Sequence, residues 1–236
     1  KGVALQVANP KHIPQISGTS TSDSNSGISP YFQRLAPRDD FQALIMARKA
    51  RQAGISRVAI AVQKGDTFGE GLAKVFRSEF TSLGGAISDE VHFVADDPDY
   101  KIKVAQLYAS APDAVFISMV STDIQFLQAV DQSDIDLDKT TLCFLLTDAQ
   151  KRDDVLNSAS AHLLTGNVNG HPKSFGAITS PNPDSPVYTH FAAELNARYN
   201  QNVESFNAQF YDIGYLFALA IEKAAGTTSL SDLNAF

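Results

Sequence analysis

The residues best suited to do chemistry lie at 17–27, Ser-Gly-Thr-Ser-Thr-Ser-Asp-Ser-Asn-Ser-Gly. Small hydroxyl side chains and glycines leave backbone N–H groups open, and each hydroxyl adds a rotatable donor. Such a loop suits a carboxylate or phosphate held without a lysine. The same composition also fits a flexible polar linker. Three further stretches, 66–68, 119–122 and Thr147-Asp148, follow apolar runs and carry small polar, acidic or aromatic residues. None of them supplies a nucleophile–base pair, and the chain has no H-E-x-x-H, G-x-S-x-G, Walker glycine loop or paired cysteines. Gly69-Glu70-Gly71 invites a dinucleotide reading, but Lys74 stands where the third glycine belongs. His12, His92, His162, His171 and His190 have no ligand spacing. The set therefore recognises a ligand; no catalytic residue, metal or cofactor is expected.

These residues need elements to hold them. The run 13–16, Ile-Pro-Gln-Ile, reads as a brief buried strand leading into the hydroxyl loop, and 31–35 alternates as a second one ended by Pro37. From Arg38 a regular alternation begins. Asp39 or Asp40 caps a helix through Gln52, with Phe41, Leu44 and Ile45 on one apolar face and Gly54 as its stop. Strands are predicted at 58–62, 86–94, 114–120, 141–147 and 163–168, and helices at 68–83, 100–110, 123–131 and 153–160. Within 68–83, Phe68, Leu72, Phe76 and Phe80 recur every fourth residue.

Continuous apolar strands separated by helices require a parallel sheet covered on both faces. Residues 36–170 are thus one α/β unit. The Pro/Ser/Gly-rich stretch 171–186 reads as a surface excursion, followed by helices at 187–199 and 206–225. The last is apolar nearly all round, which predicts burial on more than one side. It needs a sheet, and the spare strand near Ile16 places 171–236 with 1–35. Residues 2–9 have helical spacing without a cap, as an incomplete N-terminus would. In an open parallel sheet, ligands bind outside the strand C-termini, where the stretches above fall.

Composition excludes other classes. A hydrophobic content of 44% with 19% charged residues is that of a folded chain. The net charge of −7, with no basic cluster, argues against nucleic acid as a partner. No apolar run is long enough to span a bilayer and no signal-like segment opens the chain. The single cysteine, Cys143, lies in an apolar run and reads as a buried, inert thiol.

Six segments carry a resemblance: IPQISGTSTS at 13–22, FQRLAPRD at 32–39, FGEGLA at 68–73, DYKIKVAQLYASAPDAVFI at 99–117, LLTD at 145–148 and AQFYDIGYLFALA at 208–220. In that order, over nearly the whole chain, they resemble bacterial periplasmic binding proteins of the leucine/isoleucine/valine-binding type, the receptor subunits of amino-acid ABC importers. The resemblance implies a two-lobed type I periplasmic-binding-protein-like α/β fold, each lobe a parallel sheet flanked by helices. Residues 1–35 and 171–236 would form lobe one, and 36–170 lobe two. It implies a small carboxylate-bearing ligand, above all an amino acid, held in an interlobe cleft. It further implies an ABC transporter permease as partner and a periplasmic or extracellular location.

By position, Ser20 and Thr21 match the pair that holds the ligand carboxylate through a backbone N–H and a hydroxyl. Phe68 stands where the family often has a tyrosine. Val120 and Ser121 occupy a wall where relatives often place an aromatic. Asp148 falls on the acidic position that meets an α-ammonium. Relatives also carry strand–helix units before residue 1 and a return strand after 236, so lobe one is expected to be incomplete here. A ligand sensor regulating a signalling partner shares this fold; permease and ATPase genes beside the gene would mark transport instead.

Overall fold

The computed structural model of the chain describes residues 1–133, 135, 143–168 and 170–224. After a short π-helical turn at Ala4–Ala8 come β1 (Gln15–Ser17) and β2 (Phe32–Arg34). The alternating region follows as α1 (Asp39–Gln52), β3 (Arg57–Gln63), α2 (Thr67–Ser82), β4 (Ala86–Phe93), α3 (Tyr100–Ala109), β5 (Ala114–Ser118), α4 (Asp123–Asp131), β6 (Cys143–Leu146) and α5 (Asp153–Leu156). Two short strands, β7 (Asn167–Val168) and β8 (His171–Pro172), precede β9 (Ser174–Gly176), and α6 (Pro186–Tyr199) and α7 (Asn207–Ala224) end the described chain. Two compact units result: Lys1–Pro37 with the chain from Thr179 on, and Arg38–Ile178.

The Arg38–Ile178 unit is a five-stranded parallel sheet in the order β4-β3-β5-β6-β9. Strand side chains alternate between its faces. Val58, Ile60 and Val62 of β3 join Phe116 and Leu145 under α1 and α2, whereas Ala59 and Ala61 join Val115, Ile117 and Phe144 under α3 and α4. Phe76 stacks on both Phe80 and Phe116. The inner strands β3, β5 and β6 are apolar through their middles because both faces are covered, which is what a parallel sheet demands, whereas the edge strand β4 carries half-buried Ser88, Asp89 and Glu90.

Four expectations are corrected in this unit. The buried stripe of α1 is Ala43, Met46, Ala47 and Ala50, while Phe41 and Ile45 are exposed. Those four residues stand at i, i+3, i+4 and i+7, and their small side chains let α1 pack closely on α2 and β3. The residue at the helix entrance is Arg38, with no side-chain cap bond; Asp40 instead pairs with the Arg38 guanidinium. Residues 163–168 do not add a strand to the sheet. Leu163 closes a 3₁₀ turn, and β7 pairs antiparallel with β8 outside it. The fifth strand is β9, inside the stretch read as a surface excursion, so this unit extends through Ile178 rather than ending at 170.

In the other unit β1 and β2 pair in parallel. The strand before the hydroxyl loop is shifted to 15–17 and only half-buried, with Ile13 exposed. Gly18 lies so close to α7 that an added Cβ would meet the Phe210 ring at 3.2 Å, which brings helix and loop together. Burial of α7 on several sides is also corrected. Ile213 is buried, but Phe210, Tyr211, Leu216, Leu219 and Ile221 are exposed. β1 and β2, three residues each, are too short to cover the 18-residue α7. The expectations at 141–142 and 225–236 lie outside the described residues.

Candidate functional site

The strand order fixes where a crevice opens in the larger unit. From β3 the chain passes to β4 on one side, then returns past β3 to β5 on the other. The connections leaving the C-terminal ends of β3 and β5 therefore part in opposite directions, and such a reversal point is where open α/β sheets bind ligands. Phe68 follows β3, Val120 and Ser121 follow β5, and Asp148 follows β6, so all four lie along one sheet edge.

Each is held by its surroundings. Asp66 accepts from the N–H groups of Phe68 and Gly69 (3.4 and 2.8 Å), fixing the start of α2. Gly69 is pressed onto β5: an added Cβ would lie 2.4 Å from the Ser118 carbonyl, and Ser118 Oγ donates to the Gly69 carbonyl. Phe68 is thereby docked beside the exit of β5, half-buried. Gln63, the last residue of β3, takes the N–H groups of Val120 and Ser121 on its Oε1 at 3.1 and 2.9 Å and donates to Ser121 Oγ. The backbone donors of that loop are thus occupied, leaving the exposed Val120 and Ser121 side chains as its contribution. Buried Gln150 joins three elements: its Oε1 accepts from Thr147, and its Nε2 donates to the Met119 carbonyl and to Asp123.

Asp148 opens the 3₁₀ turn Asp148–Gln150 directly after Thr147. It does not cap α5, whose entrance residue is Arg152. Its Oδ1 accepts from Gln42 Nε2 at 3.1 Å. Burial pushes its carboxyl above the ordinary carboxylate range, opposed by the Gln42 N–H and by turn amides.

In the unit containing the hydroxyl loop, Ser17 Oγ donates to Ser20 Oγ and accepts from the Ser20 N–H. Arg34 Nη1 gathers three successive carbonyls, those of Ser20, Thr21 and Ser22, at 3.1, 3.0 and 2.7 Å, while Nη2 reaches Ser26 Oγ. A trans amide points its N–H opposite its C=O, so a carbonyl turned to the guanidinium sends the next N–H away from it. Thr21 is buried, yet neither its N–H nor its hydroxyl has a partner among the described residues. Two unpaired donors with a cation behind them can hold an anion.

The sequence profile described as periplasmic binding protein matches residues 2–235. The chain belongs to that family. Periplasmic binding proteins of known structure share the fold. The leucine-binding protein LivK of Thermotoga maritima is 22% identical, with a TM-score of 0.74, covering 94% of this chain and 60% of its own. The branched-chain amino-acid binding protein LivJ of Streptococcus pneumoniae, in complex with isoleucine, is 21% identical with a TM-score of 0.72, covering 93% and 60%. A solute-binding protein of an ABC transporter from Rhodopseudomonas palustris, in complex with 3,4-dihydroxybenzoic acid, is 21% identical with a TM-score of 0.70, covering 95% and 59%. The present chain thus spans about three fifths of their length. No curated protein matches the sequence. The family and these neighbours are solute-binding proteins, not enzymes. No helix among the described residues is long and apolar enough to cross a membrane.

Four residues of this periplasmic binding protein escaped the sequence reading: Arg34, Gln42, Gln63 and Gln150. Each satisfies backbone or carboxylate groups of another element, and nothing in its local spacing marks that. Only the position of Arg34 and Gln63 at strand ends could have singled them out.

Proposed function

We propose that the protein captures a small carboxylate-bearing solute, an amino acid, and delivers it to an ABC importer at the bacterial cell envelope. The observation that carries this is Thr21, whose N–H and hydroxyl lack partners over the guanidinium-bound carbonyls of its own loop. In this reading the Thr21 donors and the Ser20 hydroxyl take the carboxylate, and Asp148 takes the ammonium. Phe68, Val120 and Ser121 bound the apolar part. A ligand that binds one conformation of a two-lobed protein better than another shifts the population toward it, which is how capture can become a signal for a permease. Both the isoleucine complex and the dihydroxybenzoic acid complex hold carboxylic acids; an acidic partner such as Asp148 favours the one with an ammonium.

Titration calorimetry on the full-length protein with L-leucine, L-isoleucine, 4-methylpentanoate and 4-hydroxybenzoate tests the reading. Binding of the amino acids, with 4-methylpentanoate weaker by about tenfold or more, is expected from an unpaired buried charge. Preference for either plain acid would replace the amino-acid assignment with an organic acid, and binding of none would overturn the reading.

A further inference from the structure

Gln42 is buried in the first turn of α1, five residues after the chain leaves the first unit at Pro37. Its Nε2 serves two acceptors at once, Asp148 Oδ1 and the Ala177 carbonyl. Ala177 stands one residue before Ile178, the last residue of this unit, where the chain crosses back. The ends of β6 and β9 run tightly side by side there: an added Cβ on Gly176 would lie 2.9 Å from the Leu146 carbonyl, and the Ala177 N–H reaches the same oxygen. One carboxamide therefore ties together the residues just past both strands and the helix that starts the unit.

We propose that Gln42 is a positioning residue that aims the Asp148 carboxylate at the ligand and links it to both segments where the chain passes between the two units. This rests on the reading of Asp148 as the ammonium acceptor. A side-chain amide has two N–H donors on one nitrogen, so it alone among uncharged side chains of that reach can serve a carboxylate and a carbonyl together. A lysine would neutralise the acid and spoil it for a cationic ligand. Among the described residues the Asp148 carboxyl meets no charged side chain; Gln42 and the turn amides of Asp148 and Ala149 are the groups that favour its ionised form. Asp148 is thus held without being neutralised. Ligand bound there acts on the crossing segments through a single planar group.

The test uses the full-length protein and Gln42→Met, which keeps the volume and removes both donors. Gln42→Glu, equal in shape, serves if the methionine variant fails to melt cooperatively. Three readouts are compared with wild type: affinity for L-leucine and 4-methylpentanoate, the titration of the Asp148 carboxyl carbon by NMR without ligand, and amide exchange across residues 176–180. Loss of a hydrogen bond to a charged group predicts about tenfold or more weaker L-leucine binding, with 4-methylpentanoate changed by less than about twofold. The Asp148 titration should move to higher pH in either variant, because the ionised form loses a donor or gains a like charge. Exchange at 176–180 should accelerate. Equal losses for both probes with an unmoved titration would reduce Gln42 to a packing residue and overturn the proposal. Unchanged exchange would overturn the link to the crossing segments. If wild type binds neither probe, the amino-acid reading falls, while the titration and exchange still decide whether Gln42 holds Asp148 and Ala177.

Discussion

At the scale of single residues, the donors of Thr21 and the carboxyl of Asp148 make opposite demands on pH and mutation. Thr21→Val removes a hydroxyl that has no partner among the described residues, so the melting temperature should hold or rise. A carboxylate ligand should lose about 1.5–3 kcal/mol of charge-assisted hydrogen bonding, one to two decades in Kd by calorimetry. Unchanged affinity would make the hydroxyl loop a linker. For Asp148 the sign follows from its raised pKa, caused first by burial. Without ligand, a raised folded-state pKa favours the fold at low pH, and that contribution is lost as pH rises through the folded value. A cationic ligand needs the ionised form, so its binding should fade as pH drops, and should begin to do so above the ordinary aspartate value of about 3.9. Calorimetric titrations of L-leucine from neutral to acid pH should show that fading in wild type. In Asp148→Asn binding should be weak throughout, without this limb. A limb retained in the asparagine variant would assign the titration to another group. The places of Thr21 in a loop past a short strand and of Asp148 past β6 were legible in the sequence because apolar runs precede both; the roles given to them came from the family resemblance and are proposals. Arg34, Gln42, Gln63 and Gln150 were not legible, because their partners lie on other elements and no local pattern reports a tertiary hydrogen bond.

At the scale of elements, helix limits were more readable than helix faces. α1 runs over the residues its stop signal suggests, yet its large apolar residues Phe41 and Ile45 face outward and its alanine stripe faces in. Residue size drew the eye to one face, and the i, i+3, i+4, i+7 spacing of small residues set the other. Chemical denaturation can separate the two. Met46→Ala, at a fully buried site, should cost about 2–5 kcal/mol, whereas Phe41→Ala should stay within about 0.5–1 kcal/mol. Equal costs would mean that α1 packs by the larger residues after all. The start of α2 is read in the same way from Gly69, whose φ is unremarkable and whose requirement is space alone. Gly69→Ala puts a methyl against the Ser118 carbonyl, so α2 must lift from β5 or the strand must shift. The expected destabilisation is about 1–3 kcal/mol, and because Phe68 adjoins Gly69, ligand affinity should fall as well. A variant as stable as wild type would show that this contact relaxes without cost. β9 was missed for a different reason. Three residues that end in a glycine, two positions past a proline, carry almost no strand signal, and only pairing with β6 makes them a strand.

At the scale of the molecule, the two units differ in how much apolar surface they bury. The Arg38–Ile178 unit closes two clusters around Phe76, Phe80, Phe93, Phe116, Phe126 and Phe144, all fully buried. In the other unit the buried apolar residues are Ala4, Ala8, Ala36 and Ile213 among the described residues, while Val3, Ile13, Val187, Phe210, Leu216 and Ile221 are exposed. Local stability follows buried contact density, so the 236-residue chain should not open uniformly. Under limited proteolysis α7 and α6 should be cut first, leaving a resistant core of about residues 38–178, identifiable by intact mass. Apolar residues at such density on one helix also form a patch that normally drives association. Light scattering of the 236-residue chain should therefore report species larger than a monomer, with binding of a hydrophobic dye. Charged substitutions at Phe210 and Ile221 should reduce both, since Phe210→Glu and Ile221→Lys break the patch without touching the sheet of the larger unit. A monodisperse wild-type monomer that resists protease evenly would mean that α7 is covered by contacts within the chain, and the apolar face would then need another account.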